Sequence, residues 1–256
     1  MGMKMKKVAW LGLLAAITLV PGAAAASSAK IRLYPDRVDI GAFFQGVEIT
    51  LQGEIPQGAE AVVEIQGTAT QQELLRKGRR GGLRMTVGEI RVENAPNLYL
   101  LLSSTPHVPQ LNGQEPPWGF SALRSRINFR GALQDQEKDR FFQEFLKLKK
   151  SEELYCALPG ALKTSNSPGG QMAFKGACPL PAKVPPGHYQ VRLYVIKDGK
   201  VLEQKNEELV VKMVGFPALL ATLAYNHGAF YGVLAVLIAI AMGFIMGFLF
   251  KGKAEH

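Results

Sequence analysis

Two hydrophobic patterns divide the chain. As far as about residue 212 the apolar positions fall in short alternating runs broken by glycine and proline, whereas Met213 to Phe250 contains no Lys, Arg, Asp or Glu. Alternation with a period of two predicts strands. It occurs over 30–40, with Pro35 interrupting, and again over 46–53, 60–67, 82–92, 97–104, 152–158, 171–180, 188–196 and 200–214. The polar stretch Gln71 to Arg80 predicts a single helical turn. Pro106 to Gly119 is proline-rich and without period, so it predicts a connector. Phe120 to Ile127 predicts a short helix. Gln136 to Lys149 predicts a longer one, with Asp135 as its N-cap and Phe141, Phe142, Phe145 and Leu148 along one face. That stripe is expected to cover a sheet; a face for lipid or a partner is the alternative.

About nine strand segments at short spacing, with Gly and Pro turns, predict a mainly β chain. The expected fold is an immunoglobulin-like β-sandwich over 27–212 with a helical insertion at about 120–150. Two small β domains are the alternative. The last hairpin carries the most information. Pro186-Gly187-His188-Tyr189-Gln190-Val191 opens an alternating strand, and Asp198-Gly199 is a hairpin turn. Tyr189 is the candidate for a tyrosine corner, in which the hydroxyl bonds back to the upstream backbone. The turn Ser165 to Gly170 is expected to join 152–158 to 171–180 as an antiparallel pair.

The uncharged end has a different logic. Ala229 to Phe250 is apolar all round. As a helix it is roughly 33 Å long, enough for a hydrocarbon core of about 30 Å. It predicts a membrane span. Residues 213–228 are too short to cross and predict an interfacial helix and turn, with Tyr225, Phe230 and Tyr231 at the headgroup level. His227 falls at the joint and is expected to act as a cap or turn residue. Gly243 and Gly247 form G-x-x-x-G, a spacing that lets helices approach closely in self-association or against another membrane protein.

The other terminus sets an expected orientation. Lys4, Lys6 and Lys7 precede an apolar run from Val8 to Val20, Pro21-Gly22 breaks it, and Ala24-Ala25-Ala26 follows. This is the pattern of a signal peptide over 1–26; an uncleaved first span is the alternative. Lys251 and Lys253 follow the late span and favour the cytoplasmic side for a tail over 251–256. The expectation is a bacterial inner-membrane protein with a periplasmic domain, one span and a cytoplasmic C-terminus.

Charge changes this picture little. The net charge is +9. Without the leader's three lysines and the tail's single net charge it is +5. The cluster Arg76-Lys77-Gly78-Arg79-Arg80 suits phosphate or lipid headgroups, or is a solvated loop. Nucleic acid is not an expected partner in that compartment. Cys156 and Cys178 are the two cysteines, and an oxidising compartment predicts a disulfide between them. Two thiols of a metal site are the alternative, but His107, His188, His227 and His256 show no ligand spacing. No cofactor is expected.

Lys77-Gly78-Arg79 with Gly82-Leu83, the Pro-Gly-x-Tyr-x-Val hairpin, Lys212-x-x-Gly215, Ala224, and Tyr231-Gly232 before a glycine-containing span resemble the Alph_Pro_TM family of transmembrane proteins. Arg84-Met85 stands where that family often has an aromatic after Gly-Leu. The resemblance implies an exported bacterial domain with a C-terminal span and no assigned activity. It also implies an accessory role beside permeases of the sulfite-exporter type. The chain has no G-x-S-x-G, no H-E-x-x-H and no phosphate-cradling loop. The expectation is a non-catalytic interaction module held at the lipid bilayer, accessory to a transporter or an envelope complex. A periplasmic ligand binder or sensor, with its pocket between a sheet and the 136–149 helix, is one alternative. An enzyme using Cys156 and Cys178 is another.

Overall fold

The computed structural model describes residues 29–131 and 135–251. The predicted leader and the residues beyond 251 lie outside that range.

Thirteen strands form three sheets among these residues. The first sheet has the order β1 (Lys30–Tyr34), β3 (Val47–Pro56), β11 (Gln171–Leu180), β10 (Lys163–Ser167). The second has the order β2 (Arg37–Ile40), β13 (Lys200–Met213), β12 (Gly187–Lys197), β4 (Glu60–Gln66), β7 (Tyr99–Ser103), β9 (Tyr155–Leu158). The chain changes sheet between β1 and β2, and β2 then pairs in parallel with β13. The two sheets reproduce the A-B-E-D and G-F-C arrangement of an immunoglobulin-like sandwich. Their inner faces meet in one buried cluster that includes Ile31, Ile49, Leu51, Val63, Ile65, Leu193 and Leu209.

The third sheet is built on a hairpin inserted between β4 and β7, to which a strand from beyond α1 adds. It comprises β5 (Ala69–Arg80), β6 (Leu83–Pro96) and β8 (Asn128–Gly131). The expected helical turn at 71–80 is therefore strand: β5 pairs with β6 along its length, and ladder hydrogen bonds override a polar composition. Gly81 and Gly82 both have positive φ, as a two-residue type I′ hairpin turn requires.

The helical insertion follows β7. It holds α1 (Gly119–Arg126) and α2 (Asp135–Ser151). The aromatic stripe of α2 meets protein on one side only. Phe142, Phe145 and Leu146 are buried, while Leu148 is exposed. Phe145 lies edge-on to Phe129 of β8 and to Tyr155 of β9, so the helix staples the third sheet to the sandwich. Arg124 of α1 stacks its guanidinium against Phe129 and Phe142. Because this layer covers their outer face, all five residues of β7 are buried, as are Ala61 to Ile65 of β4. That double cover explains why both strands read as continuous apolar runs.

Two pairings differ from expectation. β9 pairs in parallel with β7, and β11 pairs with β3 and β10, so 152–158 and 171–180 are not a hairpin. The turn at 165–170 instead joins β10 to β11. β10 is exposed along nearly its whole length and polar, so it carried no alternation to detect.

Candidate functional site

The chain leaves the sandwich for the membrane with almost no slack. β13 ends at Met213, and the Val214 N–H still donates to the Ile40 carbonyl at 2.9 Å. Gly215 then takes a φ of +66°, where a side chain would be strained, and opens α3 (Gly215–Asn226). The His227 N–H caps α3 on the Leu223 carbonyl, and its own carbonyl accepts from the Tyr231 N–H. His227 is thus a joint residue, with its ring edge-on to Phe230. α4 (Gly228–Lys251) follows.

The helix is long and apolar enough to cross a bilayer over Gly228–Phe250, and none of its most apolar window is buried against protein. Tyr225, Phe230 and Tyr231 are exposed around the joint, where one end of a span meets headgroups. Gly243 and Gly247 have no neighbouring atoms that an added Cβ would meet. Their stretch of helix is open to a second helix.

At the same end of the sandwich, Tyr189 forms the corner expected of it. Its hydroxyl donates to the Pro185 carbonyl, and burial pushes its ionisation well above the ordinary value. Gly67 packs beside this ring. A Cβ there would lie 1.8 Å from the Asn97 side-chain oxygen and 2.7 Å from the Tyr189 ring.

A polar cluster absent from the sequence reading lies beneath the helical insertion. Glu64, at the centre of β4, is fully buried. Its Oε1 accepts from the Tyr99 hydroxyl at 2.7 Å, and its Oε2 accepts from Arg192 at 3.1 Å and from the Tyr194 hydroxyl at 3.4 Å. The Tyr99 oxygen in turn accepts from the Gly119 N–H at 2.7 Å, which ties the start of α1 to the sheet. Burial, reinforced by the Glu64 charge, raises the ionisation of both tyrosines. Arg192 also donates to Gln66 and Gln190, and the network clamps the insertion to the sheet. The available signal was the acidic residue inside the apolar run Ala61-Val62-Val63-Glu64-Ile65.

The cysteines correct an expectation. Both are free thiols: Cys156 half-buried on β9, Cys178 buried on β11. The antiparallel pair expected over 152–158 and 171–180 would have brought them together, but the two strands belong to different sheets. The thiols still influence one another. Burial, then the Cys156 charge, pushes Cys178 up to about 12 from an ordinary 9.0. Burial also raises Cys156, partly offset by Lys150. Neither is primed as a thiolate nucleophile.

Cavities do not gather at one chemical centre. One of about 780 Å³ lies around Pro106, His107, Lys197 and Asp198, at the sandwich end remote from α3. Another of about 550 Å³ lies between Gly46, Lys150, Cys156 and Pro181. The space between the third sheet and α2 measures only about 220 Å³, below the usual size of a small-molecule site. Among the described residues no three His, Cys, Asp or Glu side chains converge as metal donors.

Comparison with known proteins agrees with the membrane helix. A family model described as "Putative transmembrane protein (Alph_Pro_TM)" matches residues 29–252. No curated protein matches the chain. Among solved structures, murine CRIg aligns over 73% of this chain and 99% of its own, at 10% identity and a TM-score of 0.24. That score is too low to support any argument.

Proposed function

The chain belongs to the Alph_Pro_TM family of transmembrane proteins, and from that premise we propose that it is a non-catalytic interaction module held against the bilayer. The observation that carries this reading is the hand-over at Val214. One residue separates the last strand from α3, and the most apolar window of α4 beyond it is uncovered by protein. A domain joined so tightly cannot roam; it presents one end to whatever membrane protein lies beside α4. The integral-membrane partner reads the open surface of α4, including Gly243 and Gly247, and an accessory role beside a permease is the form this reading takes. The basic residues after the span favour a cytoplasmic C-terminus, with the sandwich in the periplasm.

The test is capture of the full chain in mild detergent at native expression. An integral-membrane protein should co-purify, and should be lost when Ala229–Phe250 is replaced by poly-leucine of equal length. Recovery of this chain alone, or retention of the partner by the poly-leucine variant, contradicts the reading.

A further inference from the structure

We infer that the β5–β6 hairpin is a second membrane contact, and that its tip binds anionic lipid headgroups of the bilayer that α4 crosses. The argument begins with register. β4 pairs with β7 up to Gln66 opposite Tyr99. The ladder then continues without a break. The Gly67 N–H donates to the Leu98 carbonyl, the Asn97 N–H donates to the Thr68 carbonyl, and Ala69 pairs with Pro96. The hairpin is therefore the β4–β7 ribbon prolonged beyond the sheet.

It is prolonged at the membrane end. Gln190 pairs with both Gln66 and Glu208, so the ribbon leaves the sheet level with Glu208 of β13, on the side where β13 runs on to Met213 and α3. From Glu208 to Met213 the chain covers about 17 Å, whereas the twelve residues of β5 span about 40 Å. The ribbon is long enough to reach the level of α3 with length to spare.

Its tip has the composition of a lipid-binding element. Arg76, Lys77, Arg79, Arg80 and Arg84 lie within a stretch, Leu74 to Gly88, that contains no acid. The register sets Arg79 opposite Arg84 and Arg80 opposite Leu83, around the Gly81-Gly82 turn. Like charges directly opposite each other weaken a hairpin, so this pairing needs another source of support. Leu83 and Met85, beside this turn, are 69% and 43% exposed. Arginine and lysine for phosphates, with leucine and methionine for the acyl boundary, complement an anionic bilayer surface. Two contacts, the span and the tip, would also fix the tilt of the sandwich.

The contact presupposes that α4 anchors the chain, and co-elution with nanodiscs checks that separately. The full chain carrying Trp10→Phe and Leu83→Trp is placed in nanodiscs of brominated phosphatidylcholine with or without phosphatidylglycerol. Trp118, fully buried, supplies an unquenched internal reference and reports folding. The expected result is quenching of the added emission in the anionic discs, reversed by high salt and by Arg79→Glu with Arg80→Glu. Tryptic cleavage at the tip should slow about tenfold in the same discs. Absence of quenching in every disc overturns the inference, and so does equal quenching with and without phosphatidylglycerol. Co-elution with unquenched emission would leave anchoring intact and remove only the second contact.

Discussion

β7 and α4 are both apolar runs and have opposite fates. Tyr99 to Ser103 is buried along its whole length, between the sandwich core and the helical insertion. The most apolar window of α4 has no buried residue at all. The same hydrophobic effect acts on both. In β7 it is satisfied by protein on two faces; in α4 no protein face is offered, so the surface calls for lipid. Uncovered apolar surface of this extent is not tolerated in water, which agrees with a family of transmembrane proteins.

The comparison breaks first under a charge placed in each region. Val63→Asp puts an unpaired carboxylate among fully buried residues and should destabilise the domain by about 4 kcal/mol or more. Leu237→Asp should leave the unfolding midpoint of the domain unchanged while opposing insertion by about 3 kcal/mol, seen as protein lost from the membrane fraction. Equal damage to the domain by both would mean that α4 packs on protein.

Arg192→Ala sharpens the account of the covered face. It strands the Glu64 carboxylate beneath the helical insertion and should lower stability by about 3 kcal/mol in denaturant titration, toward the low end for such pairs because Arg192 is partly exposed. Gly67→Ala forces contact with Asn97 and the Tyr189 ring and should cost about 2 kcal/mol. Tyr189→Phe removes one buried hydrogen bond to Pro185 and should cost about 1 kcal/mol.

Much of this division was legible in the residues. Alternation located the strands that have one wet face, and its loss located the span. Tyr189 was legible because it opens an alternating strand just after Pro186-Gly187, and the structure places its hydroxyl on Pro185. The long β5 strand was not, because its partner is remote in composition and its residues are polar. β10 was hidden for the same reason. The cysteines misled because sequence neighbours were assumed to pair, whereas β9 is captured in parallel by β7. Glu64 was hidden because an acid in a strand reads as an exposed position unless its partners, Tyr99 and Arg192, are known to converge on it.

A further check of the covered face comes from pH dependence. Cys178 ionises at about 12 in the folded chain against an ordinary 9.0, and buried Tyr99, Tyr155 and Tyr189 are raised as well. The folded state holds these protons longer than the unfolded one. Their contribution is therefore complete below about pH 9 and is lost as pH rises above it. Urea midpoints should fall between pH 9 and pH 11, and Cys178→Ala should make that fall shallower.

Phase partition in a clouding detergent tests the central claim most directly. The full chain should enter the detergent-rich phase, and a chain ending at Val214 should remain in the aqueous phase with unchanged near-ultraviolet dichroism. A full chain that stays aqueous, or a truncated one that still follows the detergent, would contradict the claim that α3 and α4 hold this domain at a membrane.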